Sequence, residues 1–161
     1  AQKALTRLYE RLGRWPELVA LYEADLLQTG DREEQISTLN KIATIYEDRI
    51  KDIPGAIAAY DNIAGDSRAT SGFRDLARYL AVFHGLDQLP LDQVKQRLSA
   101  ITSDSPWAAN ARELGAIAEF KAGNAEEARR QLTTLADDPL VPAGLRGRAA
   151  ELLAALGGPV Q

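Results

Sequence analysis

The chain has 161 residues, of which 45% are hydrophobic and 26% charged, a composition typical of one globular domain or a short stack of repeats. It contains no cysteine and one histidine, which excludes disulfides, a thiolate nucleophile and a multi-histidine metal site within one chain. The net charge of −4 and the lack of a 20-residue apolar run argue against nucleic-acid binding and membrane insertion. Abundant alanine and leucine, with only 6% aromatic residues, predict an all-α protein.

Helix start and stop signals divide the chain into nine predicted helices. Gly13 is expected to end the first helix, and Asp31 with Glu34 forms the capping-box pattern that opens the third. Asn124 with Glu127 repeats that pattern after a glycine. The predicted helices lie near residues 2–12, 15–29, 32–50, 54–64, 69–85, 91–102, 106–122, 125–136 and 143–156.

A repeat of two helices and two turns runs along the chain. Each copy has a small or medium apolar residue followed four positions later by a larger one. The larger residues fall at positions 22, 60, 98 and 132, at intervals of 38, 38 and 34 residues. Because one helical pair cannot bury its own apolar face, we expect the pairs to stack on one another. The pairs of residues are Leu18/Tyr22, Ala56/Tyr60, Val94/Leu98 and Ala128/Leu132.

Further motif residues recur within this repeat. They are Leu8-Tyr9, Leu12-Gly13-Arg14-Trp15, Leu18, Tyr22, Leu114-Gly115, Lys121-Ala122-Gly123-Asn124, Ala128 and Pro139. Their pattern resembles the tetratricopeptide repeat (TPR) family. The resemblance implies an α-α superhelix, a TPR-like solenoid of about four helical hairpins plus a C-terminal capping helix, formed by residues 1–161 as one domain.

The two parts of the chain differ in their repeat patterns. Residues 1–63 are similar to regular bacterial TPR arrays, and residues 64–161 form a divergent segment with the capping helix. Within it, residues 64–157 resemble the C-terminal part of TPR-like proteins that are anchored in the bacterial inner membrane, which implies the periplasm. The change near residue 63 keeps a second hypothesis open: an engineered or chimeric α-solenoid with no natural partner, expected in the cytoplasm. The cues in the second segment are Arg74-Asp75-Leu76-Ala77, Ser105-Pro106-Trp107, Lys121–Ala128 and Pro142–Arg146.

By the same resemblance, the first helix of each pair lines a concave groove that binds a protein or peptide. Arg7 and Arg11 share a helix face, and arginine can clamp a partner's carboxylates. The alternative is an ordinary solvated charged face. The groove candidates are Lys3, Arg7, Arg11, Asn40, Thr44, Asp48, Arg74 and Arg78.

No catalytic, metal or cofactor site is predicted, so we expect a non-enzymatic interaction scaffold. His84 has no nucleophile or orienting carboxylate in a recognisable motif, and an enzyme hypothesis would need a deep pocket around it. Adjacent acids in a helix point about 100° apart and do not converge on one substrate. The N-terminal helix pair has no obvious cap, which favours a homodimer through that face.

Overall fold

The computed structural model describes residues 2–158, apart from the side chains of Gln2 and Arg32. Over that range the protein is all-α, as predicted: it has nine α-helices and no strand, and a π-helical segment continues the third helix. Their bounds are α1 Gln2–Leu12, α2 Trp15–Leu26, α3 Arg32–Thr44, the π-helical segment Ile45–Ile50, α4 Ile53–Gly65, α5 Ser71–Gly85, α6 Leu91–Ser99, α7 Ala108–Lys121, α8 Ala125–Asp137 and α9 Ala143–Ala155.

Several helix ends differ from the prediction by two residues or more, among them the start of α5 at Ser71 rather than at residue 69. Helix α2 ends at Leu26 and α6 at Ser99, each three residues earlier than expected, because the chain turns there. Helix α7 begins at Ala108 rather than at residue 106. The hydroxyl of Ser105 accepts a hydrogen bond from the backbone N–H of Trp107 at 3.3 Å. That bond stabilises a turn just before the helix instead of capping the helix itself.

The two predicted capping boxes have different outcomes. Asp31 accepts hydrogen bonds from two backbone N–H groups of the first turn of α3, at 2.8 and 3.3 Å, so it caps that helix as predicted. Glu34 accepts from the hydroxyl of Thr29 at 2.7 Å rather than from the Asp31 backbone. The second box was wrong: the Asn124 side chain donates to the buried carboxylate of Glu119 at 2.7 Å instead of capping α8. A buried carboxylate is costly without hydrogen-bond donors, so the Asn124 amide stabilises the fold more by donating to Glu119 than by capping α8.

Each helical segment packs on the next one along the chain, with the π-helical segment packing between α3 and α4, and α4 with α5 forms the largest contact. In addition, α3 packs on α5, α5 on α7, and α7 on α9. Arg148 of α9 reinforces the last of these contacts with two 3.0 Å hydrogen bonds to Glu113 of α7. From α3 onward, each odd-numbered helix therefore contacts the next odd-numbered helix in addition to its neighbours in the chain.

Within the described part of the chain, the hydrophobic core consists of three clusters. The largest runs from Leu18 to Ala81 and is centred on Tyr60, which is fully buried. This cluster crosses residue 63, so both parts of the chain contribute to one core. A small cluster around Val82 and Val94 leads to the third, which packs α7, α8 and α9 around residues such as Leu132. Burying each such side chain contributes roughly 1.5–3 kcal/mol.

Candidate functional site

A cleft lies between α1 and α3, with α2 beneath it. It has two adjoining lobes, of about 900 and 650 Å³, that share four lining residues. We call it the α1–α3 cleft and define it by Lys3, Thr6, Arg7 and Glu10 of α1, Tyr22 and Asp25 of α2, and Glu34, Ser37, Asn40, Lys41 and Thr44 of α3.

Helical periodicity explains why these side chains meet. Lys3, Arg7 and Glu10 are spaced four and three residues apart, so they form one stripe along α1. Residues 37, 41 and 44 form the matching stripe on α3. Leu18 of α2 packs into the core from below, and its helix presents Tyr22 to the space between the two stripes.

Tyr22 forms the apolar floor of the cleft. The Lys41 ammonium lies 5.8 Å from the centroid of its ring, within cation–π range. Burial, followed by the charge of Glu10, raises the pKa of the Tyr22 hydroxyl. The neutral ring therefore offers an apolar face and a hydrogen-bonding hydroxyl at physiological pH.

The charge around the floor is mixed. Three cationic side chains and several carboxylates line the two lobes. The Thr44 hydroxyl donates to the backbone carbonyl of Asn40 at 3.0 Å, which leaves its oxygen as an acceptor toward the cleft. Such a surface suits a ligand that carries both charges rather than a polyanion.

The eight groove candidates divide among three places. The α1–α3 cleft brings four of them together, and the other four lie outside its lining. Two of those are exposed on α1 and on the π-helical segment, and two lie on α5. The four in the cleft are Lys3, Arg7, Asn40 and Thr44. The two exposed residues are Arg11 and Asp48, and the two on α5 are Arg74 and Arg78.

Arg78 acts as a link between helices. Its guanidinium donates to Asp75 at 2.7 Å and to the backbone carbonyl of Ala64, at the end of α4, at 3.4 Å. It also lines a small cleft of about 430 Å³ with Arg97, which holds Asp61 through hydrogen bonds of 3.0 and 2.6 Å. These contacts join α4, α5 and α6, away from the α1–α3 cleft.

His84 lies in an aromatic cluster. Its Nδ1 contacts the carboxylate of Glu47 in the π-helical segment, and its ring stacks on Tyr60 with centroids 5.7 Å apart. Burial and the charge of Glu47 raise the pKa of Tyr60, whose hydroxyl is buried with no hydrogen-bond partner among the described residues. Glu47 and His84 are 37 residues apart, so no local motif signals the pair.

Sequence reasoning missed a second cleft of about 640 Å³, which lies between α6 and α8 with α7 as its floor. We call it the α7 cleft. It is defined by Lys95, Leu98, Ser99, Ile101 and Ser103 on one wall, Gln131 and Thr134 on the other, and Ala108, Ala111, Arg112, Gly115 and Glu119 on the floor. The floor residues recur every three or four positions, which is the one sequence signal that points to it.

Between residues 2 and 158, no group of three or more His, Asp or Glu side chains is placed to hold a metal ion. No helix in this range combines the length and apolar character needed to cross a membrane. Comparisons with protein-family models, curated proteins and solved structures found no match to this chain. The resemblance to tetratricopeptide repeats therefore stays a prediction from the residues.

Proposed function

We propose that the chain is a non-enzymatic interaction scaffold that binds a peptide or a helix of another protein in the α1–α3 cleft. In this proposal the nine helices form a TPR-like solenoid of about four hairpins plus a capping helix. The sequential packing of the helices, with added contacts between alternate helices, supports the solenoid.

The observation that carries the proposal is the cleft itself. Lys3 and Arg7 from one predicted hairpin line one lobe, Asn40 and Thr44 from the next line the other, and Tyr22 lies where the two lobes meet. A peptide with an apolar residue would cover that ring, and its carboxylates would meet the two cations. Polar side chains around an apolar floor are what recognition of a mixed-charge peptide requires.

The arrangement around His84 favours binding over catalysis. A general base needs a nucleophile within hydrogen-bond reach. Glu47 contacts Nδ1 and can orient the imidazole, but the hydroxyl of the stacked Tyr60 has no hydrogen-bond partner among the described residues, so His84 does not activate it as a nucleophile. His84 also lies outside the lining of both clefts.

A peptide selection tests the scaffold proposal. A displayed peptide library is panned against the chain, and the enriched peptides are titrated against two charge-reversed variants. Arg7→Glu lies in the cleft, and Arg11→Glu makes the same change one turn away, outside its lining. We expect Arg7→Glu to weaken binding about tenfold or more, and Arg11→Glu to change it less than about twofold. Equal effects of the two variants would contradict the cleft as the binding site.

We also propose that the outer face of α1 supports a homodimer. Leu5, Leu8 and Leu12 follow one another at helical spacing and are 41%, 46% and 60% exposed. Three large apolar side chains on one helix face are unusual for a surface that contacts only water. Pairing of two such faces would bury them.

A further inference from the structure

The α7 cleft has a largely aliphatic interior. Ala108, Ala111 and Gly115 form the floor over its first two helical turns, and Leu98 and Ile101 lie on the α6 side. Its volume of about 640 Å³ lies within the range of roughly 300–1,000 Å³ that is usual for small-molecule sites. The floor from Ala108 to Glu119 is about 16 Å long at 1.5 Å per residue. The cleft is thus long and apolar.

The two walls approach closely above Gly115. A methyl group placed on the Gly115 Cα would lie 3.6 Å from the Leu98 Cδ1 and 3.8 Å from the Gln131 Oε1. Leu98 belongs to α6 and Gln131 to α8, so the walls are closer here than the roughly 10–12 Å diameter of a helix. A group the width of a methyl fits between these two atoms, whereas a partner helix does not.

An extended peptide is also a poor fit. Whereas polar side chains such as Ser37 and Lys41 line the α1–α3 cleft, the middle of the α7 cleft is formed by Leu98, Ala111 and Gly115, which offer no polar side chain. A strand-like peptide would therefore find few backbone partners there, and its own N–H and C=O groups would lose water without compensation. A hydrocarbon chain has no such groups to satisfy.

The charged side chains of the cleft favour an acidic head group. Glu119 is buried, and both of its carboxylate oxygens are engaged: one by the Lys95 ammonium at 2.6 Å and one by the Asn124 amide at 2.7 Å. Nearer the Ala108 end of the floor, the Arg112 side chain is 42% exposed and donates one 2.9 Å hydrogen bond to Asp138, the residue that follows α8. A guanidinium has further donors, and it forms paired hydrogen bonds with carboxylates.

We propose that the α7 cleft binds a slender amphiphilic acid, a linear alkyl carboxylate, with the chain along Ala108, Ala111 and Gly115 and the carboxylate at Arg112. This site is independent of the peptide site in the α1–α3 cleft. The hydrocarbon supplies most of the binding free energy through burial, and the head group sets its orientation.

The first test is calorimetric titration with three decyl probes below their micelle concentrations: decanoate, decanol and decylammonium. For decanoate we expect a Kd on the order of 0.1 mM, in line with the binding energy available to a dozen heavy atoms. The expected order of affinity is decanoate, then decanol, then decylammonium. Failure of decanoate to bind, or decylammonium binding as tightly as decanoate, would overturn the proposal.

Tryptophan variants inside and outside the α7 cleft test whether decanoate binds there. Thr134→Trp places a large side chain over the cleft from the exposed face of α8, and Glu126→Trp introduces the same side chain, with loss of one negative charge, on an exposed part of α8 outside it. We expect Thr134→Trp to weaken decanoate binding at least about tenfold and Glu126→Trp to leave it unchanged. If Thr134→Trp does not fold, Ser99→Trp blocks the cleft from the opposite wall. Equal decanoate binding by the two α8 variants would overturn the proposal.

Two further variants test the contact with the head group and the possibility that the probe binds to the exposed face of α1. Arg112→Gln should lower the affinity for decanoate several-fold while leaving decanol binding unchanged. Loss of decanoate binding in the Leu5→Glu, Leu8→Glu variant would instead assign the probe to the exposed face of α1 and refute the α7 cleft. Thr134→Trp should not alter peptide binding in the α1–α3 cleft, so the two proposals fail separately.

Discussion

Lys51 adopts the same left-handed backbone conformation as Gly13, with a φ of 57° against 66°. Each residue follows directly on the end of a helical segment, Gly13 after α1 and Lys51 after the π-helical segment. Glycine adopts this conformation without steric cost, whereas the Cβ of any other residue meets the neighbouring carbonyl oxygen. The chain therefore carries backbone strain at Lys51 that it avoids at the corresponding turn of the first pair.

Replacing Lys51 with glycine should stabilise the protein. Relief of the left-handed strain contributes about 1–2 kcal/mol to the free energy of unfolding, and the greater conformational entropy of glycine in the unfolded chain offsets part of that gain. We expect a net gain of about 0.5–1 kcal/mol in the free energy of unfolding, measured by urea denaturation. Ala58→Gly, at an exposed position inside α4, is the control and should cost about 1 kcal/mol. A Lys51→Gly variant less stable than the parent would show that the lysine side chain outweighs the strain.

Tyr60→Phe should leave the protein as stable or make it more stable. The Tyr60 hydroxyl is buried without a hydrogen-bond partner among the described residues, and such a group costs about 1–3 kcal/mol. Removing it keeps the ring in the core and its stacking on His84. Tyr60→Ala, which removes the ring as well, should cost about 3–5 kcal/mol. A marked loss of stability in Tyr60→Phe, seen in thermal or urea unfolding, would mean that the hydroxyl has a stabilising partner.

The Asp66 carboxyl should titrate far below the usual range. Side-chain hydrogen bonds from Arg68, together with its backbone N–H, lower the pKa of Asp66 from 3.8 to about 2. A lowered folded-state pKa stabilises the fold above pH 3.8, and that contribution is lost as the pH falls from 3.8 toward 2. The effect on total stability is small because the pair lies at the surface.

Carboxyl titration followed by NMR measures that pKa directly. In Arg68→Ala we expect the Asp66 midpoint to rise toward 3.8. Asp104, whose pKa is lowered by the Thr102 hydroxyl, should not move and serves as the internal control. A parent chain in which Asp66 already titrates near its ordinary value would rule out the Arg68 contact as a stable one.

The exposed face of α1 should make the chain self-associate in a concentration-dependent way. Leu5 and Leu8 are nearly half exposed on that face, and a charge at either position would be buried unpaired in a dimer. Size-exclusion chromatography with light scattering should show a dimer for the parent and a monomer for Leu5→Glu, Leu8→Glu. A parent chain that remains monomeric at every concentration, or a variant that still dimerises, would refute this interface.

The helices were predictable because their signals are local. The Asp31 cap, the glycine turns and the apolar spacing each act within a few residues of the element they define. The π-helical segment was not: the bond from the Asp52 N–H reaches back six residues to the Tyr46 carbonyl, whereas the equivalent bond after α1 spans five. The turn at the end of the π-helical segment contains one more residue than the turn after α1, and nothing in the apolar pattern predicts it.

The candidate sites were harder to predict because they depend on distances between helices. Lys3 and Arg7 line the same cleft as residues of α3, and the binding role that the family resemblance implies for them stays a prediction. Arg78 belongs elsewhere because the end of α4 offers a free carbonyl at Ala64, a contact across 14 residues. The α7 cleft was missed since its width depends on how α6 and α8 both pack against Gly115.

The central claim, that the α1–α3 cleft binds peptides, is tested most directly by NMR. A library-selected peptide is titrated into isotope-labelled protein, and backbone amide shifts are followed along the whole chain. We expect the largest changes on α1 and α3, around Arg7, Asn40 and Thr44, with α9 unaffected. Changes concentrated on α6 to α9, with α1 and α3 unmoved, would contradict the account.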